Sequence, residues 1–282
     1  MILLADGGST KTTWALLEEN GDLVRQWTTA GINPYQQTEA TISTQLKELF
    51  AESAATVKTL YYYGAGATSS ASKKLIKSFK SVFNHLQKID IQSDIVAVAY
   101  ALCGNEAGIV CILGTGSNSA VYDGKTVVEN VGGFGFILGD EGSGAVMGKQ
   151  LMMDYLYRSM PKKIHQQLQA EYHLNDGKIL QQVYNSPFPN RFLASFAPFL
   201  AKNKAEIYIS ELINTQINAF LQKKVLCYDQ APHYPIHFTG SIAYFFQDVV
   251  RAVAQQHQLK IGTIVQAPMA GLLAYHQGKL QG

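Results

Sequence analysis

The chain has 282 residues, and because a domain typically spans about 100–200 residues, this length favours two domains over one large one. Hydrophobic residues make up 47% of the sequence and charged residues 16%, a balance that excludes a disordered chain. The 23 basic and 21 acidic residues give a formal net charge of +2, so no electrostatic feature favours nucleic acid or an anionic membrane as a partner.

The cysteines and the apolar stretches indicate in which compartment the protein is expected. Cys103, Cys111 and Cys227 show no C-x-x-C spacing, which argues against a disulfide framework, a zinc site or a thioredoxin-type motif. The first residues turn polar at Asp6 and carry no basic segment, unlike a signal peptide. The apolar stretch from 95 to 113 is interrupted by polar residues and glycine, so it does not predict a membrane span. We therefore expect a soluble cytoplasmic protein.

The first hundred residues alternate strand-like and helical segments. The apolar run Ile2–Ala5 ends in a loop rich in Gly, Ser and Thr, and Asn20-Gly21 separates the next two strand-like runs, as in a β-hairpin. Apolar residues at a spacing of three and four then predict helices. The predicted strands are 2–5, 13–17, 23–27, 57–63 and a short one around Ile89, and the predicted helices are 38–53, 75–86 and 95–103.

The opening pattern recurs after residue 106. A buried-type strand at Ile109–Leu113 is followed by Gly114–Asn118, a short strand, an Asp123-Gly124 turn and a strand at Val127-Val128. The order is again strand, glycine loop, strand, Asx-Gly turn and strand, which predicts two related lobes. The boundary near residue 106 depends on this repeat alone.

Most of the remaining chain is helical by its apolar spacing. The predicted helices cover 146–157, 164–172, 192–200, 206–221 and 242–256, and a last helix follows Pro268. Strand-like runs at Ile236–Thr239 and Ile261–Val265 interrupt this region. The segment 155–234 carries no motif that we can assign.

Two loops are candidates for phosphate binding. The first glycine loop, Asp6–Thr12, ends in Lys-Thr like a Walker A loop but lacks its spacing, and a plain hairpin turn explains it equally well. The second glycine loop, Gly114–Asn118, occupies the same place in the repeated unit. Because glycines let backbone N–H groups approach phosphate, and a triphosphate held from two sides needs donors on both, we interpret the pair as a nucleotide clamp. Gly240-Ser241 is either a third contact or a strand–helix turn with Ser241 as N-cap, and the pattern favours neither.

Asp94 is the strongest single candidate for a catalytic residue. Transfer of a phosphoryl group to an alcohol uses a carboxylate that accepts the hydroxyl proton. Asp94 also precedes an apolar helix, where an aspartate is a normal N-cap, and the pattern alone favours this structural reading. A base held at a helix N-terminus is nonetheless compatible with both roles.

The densest group of glycines, Gly132–Gly144, is called the glycine cluster here. Its apolar residues and adjacent acids suit a sugar site, where carboxylates hold hydroxyl groups and an aromatic side chain packs on the ring. A glycine-rich connection whose acids cap the next helix is the alternative, and the length of the cluster makes it less favoured.

Together these motifs resemble the acetate and sugar kinase/Hsp70/actin superfamily and, within it, the N-acetylglucosamine kinases grouped with the BadF-type ATPases. Asp6–Lys11 matches the first phosphate motif, (D/E)-G-G-(G/S)-T-(K/R), and Gly114–Asn118 matches the second, G-T-G-S-N, in full. The sugar motif G-(W/F)-G…G-D-E-G-S is matched by Gly133–Gly135 and Gly139–Ser143, with Phe134 where animal enzymes commonly have tryptophan. Asn33 matches a G-x-N sugar motif.

The resemblance implies an α/β fold of two ribonuclease-H-like (actin-like ATPase) lobes, formed by residues 1–106 with 267–282 and by residues 107–266. It implies an ATP-dependent hexosamine kinase that uses Mg²⁺ and phosphorylates a hydroxyl, by analogy the C6 hydroxyl, of N-acetylglucosamine or a related amino sugar. Asp94 would be the catalytic base, and Asp6 would hold the metal. The implied ATP contacts are Gly8, Ser9, Thr10, Lys11, Thr115, Gly116, Gly240 and Ser241. The implied sugar contacts are Asn33, Gly133, Phe134, Gly135 and Asp140.

Two other functions remain open at this point. The ATPase activators of acyl-CoA dehydratases share the nucleotide fold, but they need cysteines to hold an iron–sulfur cluster between subunits, and the three cysteines here lie outside that context. A non-catalytic sugar- or nucleotide-binding regulator is the second alternative, and the presence of both Asp6 and Asp94 weighs against it. The small-molecule partner implied by the resemblance is an amino sugar, and relatives imply a homodimer.

Overall fold

The computed structural model describes residues 1–8, 10–35, 37–51, 54–67 and 69–281. The chain divides into two compact units, the first formed by Met1–Glu106 with Pro268–Gly282 and the second by Ala107–Ala267. Each unit contains one five-stranded mixed sheet with helices packed against it.

The sheet of the first unit has the strand order β3-β2-β1-β4-β5. The central strand β1 is antiparallel to β2, with Asp6 opposite Thr13, and parallel to β4, with Asp6 opposite Tyr63. The carboxyl ends of β1, β4 and β5 therefore meet at one edge of the sheet. The elements of this unit are β1 (Ile2–Gly7), β2 (Lys11–Leu17), β3 (Leu23–Ala30), α1 (Glu39–Leu49), a 3₁₀ turn (Ala54–Thr56), β4 (Thr59–Gly64), α2 (Ser69–Lys80), β5 (Lys88–Ser93), α3 (Asp94–Cys103) and, from the end of the chain, α13 (Met269–Gln281).

Alternation along the strands places an apolar layer on each face of this sheet. Leu3, Ala5 and Trp14 point to the side of α1 and α2, where the Trp14 ring meets Phe50 edge-on at a centroid distance of 5.0 Å. Leu4 lies on the opposite side with residues of α3 and α13. Because Asp6 has the same parity as Leu4, the sequence places its carboxylate on the α3 side.

The sheet of the second unit repeats the first, with the order β10-β9-β6-β7-β8. Its central strand β6 is antiparallel to β7 and parallel to β9, as β1 is to β2 and β4. This topology confirms the repeat read from the sequence. The elements are β6 (Ala107–Leu113), β7 (Ser117–Asp123), β8 (Val127–Asn130), α4 (Gly135–Leu138), α5 (Gly144–Leu156), α6 (Lys162–Tyr172), α7 (Asp176–Tyr184), α8 (Pro189–Ala194), α9 (Ala197–Lys202), α10 (Ile207–Lys224), β9 (Ile236–Thr239), α11 (Ser241–Phe245), α12 (Gln247–Gln256) and β10 (Ile261–Val265).

Two of the predicted helices are each broken into two. The segment 192–200 contains the end of α8 and most of α9, because Pro198 lies in the first turn of α9 and cannot continue a preceding helix. The segment 242–256 is interrupted at Phe246, whose backbone (φ −110°, ψ 27°) is not helical. Helix α7 was not predicted, although Ile179, Leu180, Val183 and Tyr184 recur at helical spacing; it spans nine residues, and Ile179 is its buried residue.

The helices do not include a membrane span. Within the part of the chain that the structure describes, no helix is both long enough and apolar enough to cross a bilayer.

Candidate functional site

The first glycine loop forms the tight turn between β1 and β2. Gly7 pairs with Thr12 at the end of the ladder, and the Gly8 N–H donates to the Lys11 carbonyl at 2.8 Å. The Gly31 N–H donates to the Thr10 carbonyl at 3.0 Å, which ties the turn to the loop that follows β3. Ser9, an expected phosphate contact, lies outside the described residues.

Asp6 carries the most perturbed carboxyl group of this turn. Burial of the Asp6 carboxyl group raises its pKa, and the nearby Asp94 carboxylate raises it further. Lys11 lowers the pKa, which nevertheless reaches about 7. At neutral pH a large share of Asp6 is therefore protonated until a cation arrives.

Asp94 lies at the start of α3, directly after β5. The N-cap of α3 is Ser93, with extended backbone (φ −66°, ψ 149°), and Asp94 is the first helical residue, which corrects the expectation that Asp94 itself is the N-cap. The reason is that β5 continues to Ser93, so the chain turns into the helix one residue later than the pattern indicated. The Asp94 Oδ1 atom accepts hydrogen bonds from Ser93 Oγ (3.1 Å) and the Ile95 N–H (2.9 Å), and burial raises its pKa despite both bonds.

The acids of the first unit suit a metal that a substrate helps to hold. Across the described ranges, no group of three or more His, Cys, Asp or Glu side chains forms a complete protein-made metal site. Mg²⁺, however, is commonly bound by one or two carboxylates together with substrate phosphates and water. Asp6 at the phosphate-type turn, close enough to Asp94 for the two carboxylates to repel, fits that arrangement.

Asn33 lies in the loop after β3, and its side chain shapes that loop. Its Oδ1 atom accepts from the Tyr35 N–H at 3.0 Å, and its own N–H donates to Gln37 Oε1 at 2.7 Å. Lys74 of α2 donates to the carbonyls of Pro34 and Gln37 and so holds the loop from outside. These hydrogen bonds fix the backbone on both sides of Asn33 in the described part of the loop.

In the second unit, the second glycine loop packs against the start of α5. The carbonyls of Gly114 and Thr115 accept from the N–H groups of Gly144 (2.8 Å) and Ala145 (3.1 Å). Gly240 lies on the other side of the loop, where a Cβ atom would stand 2.2 Å from the Leu113 carbonyl oxygen, so only glycine fits there. Gly240 (φ 113°) is also the N-cap of α11, and Ser241 is its first, exposed residue, which corrects the alternative of Ser241 as N-cap.

Asp140 joins the second glycine loop to the glycine cluster. Its carboxylate accepts backbone hydrogen bonds from Ser117 and from Gly135, the latter at 3.2 Å. A Cβ atom on Gly116 would lie 2.8 Å from Asp140 Oδ2, so the loop approaches the carboxylate as closely as glycine permits. Asp140 is buried, and desolvation raises its pKa although Lys224 and the two N–H donors lower it. Its left-handed backbone (φ 60°) is one that aspartate tolerates.

Phe134 presents an aromatic face at the edge of the cluster. Its side chain is 60% exposed, and the Lys224 ammonium lies 5.1 Å from its ring centroid. The short helix α4 follows directly, and Lys149 of α5 donates to the Phe136 carbonyl at 2.8 Å. An exposed ring on a fixed backbone is an arrangement that can pack against the apolar face of a sugar.

Within each unit the structure brings together some of the predicted site residues. In the first unit it joins Asp6, Gly8, Lys11 and Asp94, and it links Thr10 to the loop of Asn33. In the second unit it joins the second glycine loop, Gly240 and the glycine cluster with Gly133, Gly135 and Asp140. The binding roles of all these residues remain predictions.

Sequence reasoning missed three side chains next to these sites. Lys74 and Lys224 hold the backbone of the Asn33 loop and of the glycine cluster, across 40 and 92 residues of sequence. Tyr62 of β4 places its hydroxyl under Gly7 and Gly64, both of which lack the Cβ that would collide with it. A helix-terminal lysine or a strand tyrosine carries no local signal of such a role, so no pattern in the sequence could have found them.

Comparison with known proteins identifies a family and similar solved structures. The model of the BadF/BadG/BcrA/BcrD ATPase family matches residues 5–272. The structure of a candidate N-acetylglucosamine kinase from Porphyromonas gingivalis is 39% identical, with 99% of both chains covered and a TM-score of 0.93. A candidate N-acetylglucosamine kinase from Chromobacterium violaceum is 17% identical over 97% of this chain and 98% of that one, with a TM-score of 0.76.

A more distant likeness concerns the fold alone. A ROK family glucokinase from Streptomyces griseus, solved with glucose and AMPPNP, is 14% identical, with 100% of this chain and 99% of that chain covered and a TM-score of 0.60. No curated protein matches the chain by sequence. These likenesses, with the two five-stranded sheets, confirm the predicted α/β fold with two lobes of the actin-like ATPase type.

Proposed function

The chain belongs to the BadF/BadG/BcrA/BcrD ATPase family, and on that premise we propose that it is an ATP-dependent kinase of N-acetylglucosamine or a related amino sugar. The observation that carries the proposal is the pair of acids in the first unit. Asp94 is held rigidly at the first turn of α3, and it lies close enough to Asp6 to raise the pKa of that group. A base and a metal-binding carboxylate side by side are what phosphoryl transfer to an alcohol requires.

In this proposal the two glycine loops bind the phosphates of ATP. Gly8, Thr10 and Lys11 serve from the first unit, and Thr115 and Gly116 from the second, through N–H groups, hydroxyls and the Lys11 ammonium. The turn at Gly240 and Ser241 contacts the nucleoside side. The backbone contact of Gly240 with Leu113 supports this assignment, because it keeps that turn next to the second glycine loop.

Asp94 is the proposed catalytic residue. Its carboxylate accepts the proton of the sugar hydroxyl as the hydroxyl oxygen attacks the γ-phosphorus, and the bond from that phosphorus to the bridging oxygen breaks to release ADP. A general base works best with a pKa near the operating pH, and burial moves Asp94 in that direction. The hydrogen bonds from Ser93 and Ile95 to Oδ1 fix the carboxylate that would receive the proton.

The proposed metal ligand is Asp6, directly or through water. Bound Mg²⁺ would neutralise charge on the β- and γ-phosphates. Because binding needs the ionised carboxylate and the pKa of Asp6 is about 7, metal affinity should rise with pH through neutrality.

The sugar contacts proposed are Asn33 from the first unit and the glycine cluster from the second. The hydrogen bond from the Tyr35 N–H to Asn33 Oδ1, which fixes the Asn33 side chain, and the exposed Phe134 ring support them. Gly133 and Gly135 would let the backbone approach the hydroxyls, while Asp140 contributes mainly by fixing the cluster, since its oxygens already accept two backbone N–H groups. The C6 hydroxyl as acceptor, a homodimer and a cytoplasmic location stay predictions from the resemblance.

The test is an ADP-release assay with a panel of hexoses, hexosamines and N-acetylhexosamines, with the phosphorylated product identified by ³¹P NMR. We expect the highest kcat/KM for an N-acetylated hexosamine and no ADP release above background with 6-deoxy-N-acetylglucosamine, which lacks the acceptor hydroxyl. If no sugar stimulates ADP release, the kinase proposal is wrong. If the 6-deoxy compound is phosphorylated, the position is wrong but the reaction class is right.

A further inference from the structure

Lys224 is the last residue of α10, and its charged end is buried beneath the glycine cluster. The residue is 2% exposed, which is rare for a lysine unless its charge is compensated. Its ammonium donates to the Gly132 carbonyl and lies 5.1 Å from the centroid of the Phe134 ring. A backbone carbonyl and an aromatic face therefore both contact this one cation.

Asp140 is the carboxylate that faces Lys224 across the cluster. The ammonium lowers the pKa of Asp140, and Asp140 with Glu141 raises the pKa of Lys224, while burial acts in the opposite direction on both groups. Asp140 and Glu141 thus offset part of the cost of burying the Lys224 charge.

The neighbouring lysine has none of these properties. Lys223 is 64% exposed, and its ammonium pairs with Glu141 at 2.8 Å. Because the lysine end of this pair is in solvent, the pair contributes little to stability. The two consecutive lysines at the end of α10 therefore have different surroundings: Lys223 pairs with Glu141, whereas Lys224 reaches the Gly132 carbonyl and the Phe134 ring.

We infer that Lys224 is a positioning residue for the sugar side of the site: its ammonium holds Gly132 and Phe134 in the arrangement that receives the sugar. This inference rests on the proposed function for the identity of the ligand. Lys224 reaches the sugar only through these residues, because it is itself buried. It therefore governs the KM for the sugar, whereas the chemistry at Asp94 and the binding of ATP depend on other groups.

The experiment compares Lys224→Met with Lys223→Met in the full-length protein. Methionine fills a similar volume and removes the charge and the donors, and Lys223→Met removes the same charge one residue away. We expect Lys224→Met to raise the KM for N-acetylglucosamine about tenfold or more, with kcat and the KM for ATP each changed by less than about threefold. Lys224→Arg, which keeps the charge, should recover most of the affinity, and Lys223→Met should match the wild type.

Hydrogen–deuterium exchange supplies a readout that does not need turnover. In Lys224→Met, the amides of 132–140 should exchange faster, whereas those of β9 should not change. Equal sugar KM values for the two methionine variants, parallel increases in the KM for sugar and ATP, or unchanged exchange at 132–140 would each overturn the inference. If the wild type phosphorylates no sugar, the proposed function fails, and the exchange comparison still decides the role of Lys224.

Lys224→Gln covers the case in which Lys224→Met does not fold. Glutamine is one atom shorter than lysine, so its amide does not reach the Gly132 carbonyl from the same backbone position, and it removes the charge that lies over the Phe134 ring. The same increase in sugar KM and the same local loss of protection are expected, and wild-type values of both would contradict the inference.

Discussion

The two units have the same sheet topology, but their carboxylates have opposite electrostatic surroundings. In the first unit, Asp6 and Asp94 raise the electrostatic cost of each other's charge, and the opposing effect of Lys11 does not restore the normal pKa of Asp6. In the second unit, Asp140 accepts two backbone N–H groups and faces the buried ammonium of Lys224.

The difference separates a reactive role from a structural one. Carboxylates that repel each other have an electrostatic cost that a cation or a proton relieves, which is useful where a metal binds and a proton moves. A carboxylate already compensated by the protein has little to gain from a ligand, and it serves as the fixed point around which loops are arranged. Four substitutions test this contrast, from the largest expected effect to the smallest.

Asp94→Asn should have the largest effect. The amide keeps the shape of the side chain but cannot accept the sugar proton, so we expect kcat to fall about 10³-fold. Binding of ATP and sugar, measured by calorimetry, should change by less than about threefold. Asp22→Asn, in the exposed turn between β2 and β3, is the control and should keep wild-type activity. A kcat for Asp94→Asn within tenfold of the wild type would remove Asp94 from the chemistry.

Asp140→Ala should destabilise the second unit. It removes the acceptor of two backbone N–H groups and leaves the Lys224 charge without its carboxylate, so we expect a loss of about 3 kcal/mol in the free energy of unfolding. Urea denaturation measures it. Glu141→Ala, which breaks the surface pair with Lys223, should cost less than about 1 kcal/mol. Equal costs for the two variants would show that Asp140 is not the fixed point of the cluster.

Asp6→Asn, in contrast to Asp140→Ala, should increase the free energy of unfolding at pH 8 in the absence of Mg²⁺. The pKa of Asp6 is about 7 in the folded protein against an ordinary value of 3.8, so the folded state retains a proton that the unfolded state releases. The contribution of Asp6 to the stability of the wild type therefore falls as the pH rises from 4 to 7 and then levels off.

Asparagine does not titrate, so the advantage of Asp6→Asn should be absent near pH 4 and grow up to about pH 7, with an upper limit of about 4 kcal/mol set by the shift in pKa. Urea denaturation at pH 4, 6 and 8 measures it, and the variant should lose Mg²⁺-dependent activity. An Asp6→Asn protein less stable than the wild type at pH 8 would mean that the acid pair of the first unit is compensated after all.

Tyr62→Phe should have the smallest effect. The Tyr62 hydroxyl is buried and has no hydrogen-bond partner within the described part of the chain, so its removal should change the free energy of unfolding by less than about 1 kcal/mol. The matched variant in the second unit is Tyr228→Phe, whose hydroxyl bonds the Ser119 carbonyl (2.9 Å) and the Val131 N–H (3.0 Å). That variant should cost about 2 kcal/mol, and equal thermal shifts for the two would contradict the contrast.

Part of this structure was predictable because it depends on short-range patterns. The alternation of β1 and β2, the Asn20-Gly21 turn and the glycine loops are local features, and their recurrence after residue 106 predicted the second sheet correctly. Helix breaks at Phe246 and before α9 were missed, because apolar spacing continues across them while the backbone direction changes.

By itself, the amino-acid sequence determined the fold class, the family and the candidate residues, since glycine turns, strand alternation and acids after strands act over a few residues. The tertiary structure decided what those residues experience. A pKa depends on burial and on charges brought near by folding, so the raised pKa of Asp6 and the compensation of Asp140 could not be read from the chain. The same holds for Lys224, which lies 92 residues from the carbonyl it holds and acquires its role only when α10 packs beneath the glycine cluster.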